Sequence, residues 1–128
     1  LRFQDTLDAV GIKPDYAPLT DSLTGEQIAA DNLVILLVEH EYFANTPTTE
    51  IVTMNLLGEG DAYALRDGRV YKVRWQRAAV TDLLSLVSPD GQPYLFKPGN
   101  VWFEVMGETS LVNQDPGVKA WQFDFAIP

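Results

Sequence analysis

Residues 60–75 read GDAYALRDGRVYKVRW, and this stretch decides the fold because it specifies a β-hairpin almost residue by residue. The pair Asp67-Gly68 tolerates the positive φ angles of a type I′ turn, which joins two strands through a two-residue loop. Such a loop sets Gly60 opposite Trp75, and we predict that the indole lies over the space left by the glycine. The stretch therefore predicts an antiparallel sheet with one packed face.

Side chains alternate between the two faces of a strand, so the same register separates a packed face of the hairpin from a polar one. On the packed face, small residues oppose large ones, namely Ala62 with Val73 and Ala64 with Tyr71. On the other face, Asp61 opposes Arg74 and Tyr63 opposes Lys72. Opposite charges facing each other are typical of a solvent-exposed surface.

The length of 128 residues and the apolar fraction of 46% are those of one ordinary domain with its own core. We predict a single domain over residues 1–128. No uninterrupted apolar run is long enough to cross a bilayer as a helix. Cysteine is absent, which excludes disulfides, thiolate metal sites and thiol nucleophiles.

The formal net charge of −9 is concentrated in the first half of the chain. Residues 1–61 contain eleven acidic residues against Arg2 and Lys13, whereas residues 62–128 contain seven residues of each sign. An acidic half repels phosphate backbones, so this distribution argues against a nucleic-acid partner.

The rest of the chain carries the signals of short strands. Residues 33–38 are short and continuously apolar, which predicts a strand covered on both faces, whereas residues 1–32 are weakly patterned and predict a loop region. Residues 119–125 alternate aromatic with polar side chains and predict a half-buried strand. A short helical turn is compatible with the sequence of two segments, residues 25–30 and residues 77–84. We predict a mainly β fold, either an antiparallel sandwich or a partly open barrel, with about seven or eight short strands and at most one or two short helical turns.

His40 is the only histidine, and it stands between Glu39 and Glu41, a combination found in acid–base and metal sites. On a strand, neighbouring side chains point to opposite faces, so both glutamates leave the side that His40 occupies. We therefore interpret His40 as structural or exposed, and we predict no catalytic residues, no metal site and no cofactor.

Carboxylates and aromatic rings are the remaining candidates for chemistry. Glu59 and Asp61 share one face of a strand, a spacing that a glycosidase or a calcium site can use, but an exposed ion pair with Arg74 is the interpretation we favour. Flat rings and hydroxyls could also line a sugar- or peptide-binding surface. We predict that Trp75 and Trp121 pack in the core, and we leave Trp102 open between these two roles.

An ordered set of short motifs runs from Thr24 to Trp102. These are TGEQI at 24–28, NLVI at 32–35, GEG at 58–60, WQR at 75–77, DG at 90–91 and PGNVW at 98–102. In this order they resemble the C-terminal domain of YerB-like bacterial lipoproteins, over roughly residues 22–105. The family pattern has a glycine two positions before the hairpin tryptophan, where this chain has Val73.

The resemblance implies the C-terminal domain of an extracytoplasmic protein that a lipid anchors to the membrane in the cell envelope. It brings no established activity, so the residues that carry only a motif match are candidate binding residues. These are Asn32, Trp75, Arg77 and Trp102.

We therefore predict a non-catalytic binding or interaction domain of a bacterial lipoprotein. Its expected partners are its own N-terminal domain in the full-length protein and a cell-wall polymer or an envelope protein. One alternative is an envelope glycan or peptide hydrolase that uses carboxylates such as Glu59 and Asp61, with or without His40. Another is a structural domain that completes its N-terminal neighbour, which predicts an exposed apolar patch on this chain.

Overall fold

The computed structural model describes residues 4–7, 15–115 and 120–126, and these residues form ten strands and no helix. The strands are β1 (Gln4–Leu7), β2 (Asp15–Pro18), β3 (Asn32–Thr46), β4 (Thr49–Asn55), β5 (Gly58–Arg66), β6 (Arg69–Arg77), β7 (Ser85–Val87), β8 (Val101–Gly107), β9 (Leu111–Asp115) and β10 (Ala120–Asp124). Strands β1 and β2 form one two-stranded ribbon, β9 and β10 form a second, and the other six strands form one sheet. Within the described residues, no helix is long and apolar enough to span a membrane.

The long strand β3 organises the six-stranded sheet because three other strands pair with it. Over residues 33–36 it pairs antiparallel with β5, and over residues 32–38 it pairs parallel with β8. Its C-terminal half forms an antiparallel hairpin with β4. The sheet continues from β5 through β6 to β7 and is open, since its pairing path ends at β4 and β7.

The β5–β6 hairpin has the register that residues 60–75 predict. Asp67 and Gly68 have φ angles of 50° and 71°, and Gly60 pairs with Trp75. A Cβ added at Gly60 would lie 2.5 Å from Trp75 Nε1, so the glycine is what admits the indole. Trp75 Nε1 in turn donates a hydrogen bond of 2.9 Å to Leu37 O, which ties β6 to β3.

The core lies on one face of the sheet, in rows of side chains that run across the strands. One row consists of Val105, Leu36, Ala62 and Val73, and the next of Phe103, Val34, Ala64 and Tyr71. The β3 and β5 members of both rows are buried. The alanines of β5 leave room for the larger side chains on either side, and this is the small-to-large layer that the hairpin predicts.

The opposite face of the sheet is covered by β10 around Tyr63. Ile35 is buried on this face, and its cross-strand neighbour is Tyr63. The ring centroid of Tyr63 lies 5.8 Å from that of Trp121 and 5.4 Å from that of Phe123. Strand β3 is thus covered on both faces over residues 33–38, as predicted. The solvent-exposed position expected for Tyr63 is wrong, because rings from near the end of the sequence pack against it.

The mainly β, mainly antiparallel prediction is confirmed, with differences in detail. Strand β8 runs parallel to β3. The loop expected over residues 1–32 contains the β1–β2 ribbon and a bridge between Thr20 and Gln27. Both segments with room for a helical turn are non-helical. Of the predicted last strand, Lys119 lies outside the described residues, and the single-domain assignment over residues 1–128 stays a prediction.

Candidate functional site

An open depression of about 550 Å³ lies where β4, β5 and β6 meet the turn after β8. Four carboxylates line it, together with a single guanidinium, so the formal charge of its lining is −3. The charged residues are Glu39, Glu59, Asp61, Glu108 and Arg74. The lining therefore has a negative potential, which favours cationic groups.

Arg74 connects two of these carboxylates. Its Nη1 donates to Asp61 Oδ1 at 2.7 Å and its Nη2 to Glu59 Oε1 at 3.3 Å, so the predicted pairing of Asp61 with Arg74 is confirmed. All three side chains are more than 40% exposed, and pairs of this kind contribute at most about 1 kcal/mol each. A third carboxylate, Glu39, accepts a hydrogen bond of 3.1 Å from Asn55 Nδ2.

These contacts orient the carboxylates without forming a metal site. In the described part of the chain, no three His, Cys, Asp or Glu side chains are grouped closely enough to hold a metal ion. Calcium needs six to eight oxygen ligands, and Arg74 already engages two of the four carboxylates of the depression.

Asn32 and Arg77, two of the four binding candidates, hold loops in place. The Asn32 side chain is 1% exposed; its Nδ2 donates to Lys97 O at 2.8 Å and its Oδ1 accepts from Lys97 N at 2.9 Å. Arg77 Nε donates to Asp82 O at 2.9 Å, and its Nη2 donates to Val80 O. Both motif residues thus bond backbone groups of loops, which gives each of them a structural role. Their binding roles stay predictions.

The two tryptophan candidates lie at different depths. Trp75 is 2% exposed and belongs to the core, as predicted, although it also borders the depression. Trp102 lies on β8, is 37% exposed, and donates from Nε1 to Glu104 Oε2 at 3.1 Å. The structure therefore does not bring Asn32, Trp75, Arg77 and Trp102 into one site.

The PGN part of the motif set is held by a reciprocal pair of hydrogen bonds. Asn100 N donates to Asp31 Oδ2 at 3.0 Å, and Asp31 N donates to Asn100 Oδ1 at 2.9 Å. Gly99 has a φ of 132°, and a Cβ there would lie 2.1 Å from Asp31 Oδ2. This turn positions the start of β8 beside the start of β3.

His40 is 7% exposed and packs among aromatic rings. Its Nδ1 lies 2.8 Å from Val38 O, so Nδ1 carries the hydrogen and donates it, and the rings of Tyr42 and Phe125 lie 6.2 and 5.9 Å away. No hydrogen bond joins His40 to a carboxylate within the described residues. His40 is therefore buried rather than exposed, and the hydrolase alternative gains no acid–base pair from it among the described residues.

The feature that sequence reasoning missed is the hairpin of residues 39–57, which we call the arm. Every residue of β4 is exposed. Five large apolar side chains of the arm are between 39% and 53% exposed. Three of them belong to β4, namely Ile51, Val52 and Met54, and the other two are Phe43 and Leu57. The sequence shows apolar side chains on both faces of this strand, but whether another segment covers them is decided by the tertiary structure.

The pairing of the arm places these side chains on two surfaces. Phe43 pairs with Ile51, and on the other face Tyr42 pairs with Val52 and His40 with Met54. The arm thus carries an exposed apolar patch on each face, and the acidic depression lies at its base. An exposed apolar patch is what the structural-domain alternative predicts.

Comparison with known proteins is consistent with this architecture. A family model described as the C-terminal domain of a protein of unknown function, DUF3048, matches residues 13–103. The chain belongs to this family. No curated protein matches the chain.

A solved structure supports the same fold. The crystal structure of the YerB protein from Bacillus subtilis is similar to this chain with a TM-score of 0.55 and 22% sequence identity. The similarity covers 80% of this chain and 32% of the YerB chain, so the chain spans about a third of that protein. The resemblance to a YerB-like C-terminal domain is confirmed.

Proposed function

We propose that this domain is a non-catalytic protein-interaction module that binds another folded polypeptide through the arm. The observation that carries this proposal is the exposure of apolar side chains on both faces of β4. Single exposed apolar residues are common on protein surfaces, but contiguous apolar patches mark interaction sites. The arm gathers five such side chains within residues 39–57.

The chemistry of the arm favours a protein over a cell-wall polymer. Aliphatic and methionine side chains such as Val52 and Met54 pack well against apolar protein surfaces. Sugars instead stack on exposed aromatic planes that are flanked by hydrogen-bonding groups. Trp75, the best-placed tryptophan beside the depression, is buried and presents no such plane.

The partner in this proposal is the N-terminal domain of the full-length protein, which is anchored in the bacterial cell envelope by a lipid. Two facts support it: the resemblance to YerB-like lipoproteins, and the length of the YerB chain, of which the matched region is only 32%. A larger neighbouring domain in the same protein can pack against the exposed apolar patch of the arm.

Amide hydrogen exchange on the full-length protein tests the proposal. We expect the amides of β4 to exchange more slowly in the full-length protein than in the 128-residue chain, and we expect Met54→Lys to raise their exchange rates about tenfold by placing a charge in the contact. Leu83→Lys is the matched control, because Leu83 is 91% exposed and lies outside the arm. Unprotected β4 amides, or equal effects of the two substitutions, would contradict the proposal.

A further inference from the structure

We infer that the arm binds its partner by strand addition: an extended segment with alternating apolar side chains, and with lysine or arginine near the Asn55 end, pairs with the outer edge of β4. This inference rests on the proposed function and adds the mode of binding and the chemistry of the partner.

The edge of β4 is the first reason. Among the described strands, β4 pairs with β3 alone. It is seven residues long, contains no proline or lysine, and has Glu50 as its one charged residue. Proteins usually protect an exposed edge with prolines, charges, bulges or short strands, so an unprotected edge of this length is a template for another strand.

The opposite end of the sheet shows the contrast. Strand β7 has only three residues, and the segment after it returns to form a bridge between Val87 and Pro93. Proline has no amide hydrogen to offer an added strand. The edge at β7 is therefore protected, whereas β4 pairs with no second strand among the described residues.

The side chains along β4 indicate which residues an added strand would carry. Val52 and Met54 lie on one face beside Tyr42 and His40. An apolar residue at every second position of the added strand would lie next to them, because cross-strand neighbours on one face are in contact.

Charge indicates the remaining chemistry. Residues 39–61 contain five carboxylates and no lysine or arginine. The depression continues from the Asn55 end of β4 and has a lining with a formal charge of −3. Basic residues in the added segment are therefore attracted to this end, whereas a second copy of this acidic chain is repelled.

Peptide binding to the 128-residue chain tests the inference. The probe is a nine-residue peptide that alternates valine with threonine and has three lysines at one end. We expect it to bind at least about tenfold more tightly than the same peptide with glutamates in place of the lysines. Methylating alternate backbone nitrogens removes the donors that face β4, so we expect a similar loss.

Variants of the chain localise the contact. Glu39→Lys, at the Asn55 end of β4, is expected to weaken binding about two- to fivefold, while Glu26→Lys, with the same change of charge at an exposed site outside the arm, leaves it unchanged. Val52→Lys is expected to weaken peptide binding about tenfold. Far-UV circular dichroism confirms that each variant folds, and the methylated peptide tests the wild-type chain whatever the variants do.

Three results would overturn the inference. These are equal binding of the lysine and glutamate peptides, equal binding of the methylated peptide, and formation of a dimer that Val52→Lys abolishes. If the peptides fail while β4 is protected in the full-length protein, strand addition is wrong and the proposed function stands. If β4 is unprotected as well, both fail.

Discussion

Gly60→Ala is the sharpest test of the packing that holds this sheet together. The new Cβ would lie 2.5 Å from Trp75 Nε1, 2.9 Å from Trp75 Cε2 and 3.0 Å from Leu37 O. Ordinary contacts at Cβ begin near 3.4 Å, so the indole has to move by about 1 Å. Trp75 is 2% exposed and surrounded by core residues, and a movement of this size strains its neighbours.

Three contributions set the expected loss of stability. Overpacking a closed core costs about 1–3 kcal/mol. The methyl group also displaces the hydrogen bond of 2.9 Å from Trp75 Nε1 to Leu37 O, and an unpaired buried donor costs about 1–3 kcal/mol. The reduced freedom of alanine in the unfolded chain returns about 0.4–1 kcal/mol. Together these contributions lead us to expect that Gly60→Ala lowers the free energy of unfolding by about 1–5 kcal/mol.

Urea denaturation followed by circular dichroism measures this loss, and a double-mutant cycle assigns it to the indole. Trp75→Phe makes room for the methyl group, so the double variant should be at least about 1 kcal/mol more stable than the sum of the two single effects predicts. Gly25→Ala is the control, because a Cβ there meets nothing within 4 Å and its cost comes from a φ of 71° alone. A loss below about 0.5 kcal/mol for Gly60→Ala, or additive effects with Trp75→Phe, would refute the reasoning.

Three further predictions test other contacts. Gly99→Ala places a Cβ 2.1 Å from Asp31 Oδ2 at a φ of 132°, so thermal denaturation should show a loss of more than about 3 kcal/mol; a smaller loss would mean that the turn adjusts freely. Asn32→Ala leaves the backbone N–H and C=O of Lys97 without their side-chain partner, so urea denaturation should show a loss of about 2–4 kcal/mol, which a near-neutral result would contradict. A hydrogen bond from Lys97 lowers the pKa of Asp67, so this carboxylate stabilises the fold above pH ~5 and loses that effect as the pH falls below its ordinary value of 3.8. The difference in Tm between wild type and Asp67→Asn should therefore close in acid, and a difference that persists would exclude this pair as the cause.

Much of the fold follows from local pattern. The Asp67-Gly68 turn sets the pairing of β5 with β6, and this pairing places Trp75 over Gly60. The apolar run at 33–38 predicts a strand covered on both faces, because a side chain at every position needs burial. These predictions hold because turn chemistry and side-chain alternation act over a few residues.

The candidate site was less accessible to the same reasoning. Asn32 and Arg77 stand out as motif residues, but their side chains satisfy backbone groups of nearby loops. An apolar strand in the sequence suggests burial, and β4 is nevertheless exposed because no described strand packs over it. Whether a strand is covered depends on where the rest of the chain goes.

The sequence by itself determined that this protein is a β domain, where the central hairpin turns, and which residues form its packed face. Turn propensity and alternation are properties of neighbouring residues, so they can be read without the structure. Only the tertiary structure decided that β8 runs parallel to β3, that β10 covers Tyr63, and that the arm is left open beside an acidic depression. Each of these depends on contacts between segments that are far apart along the chain.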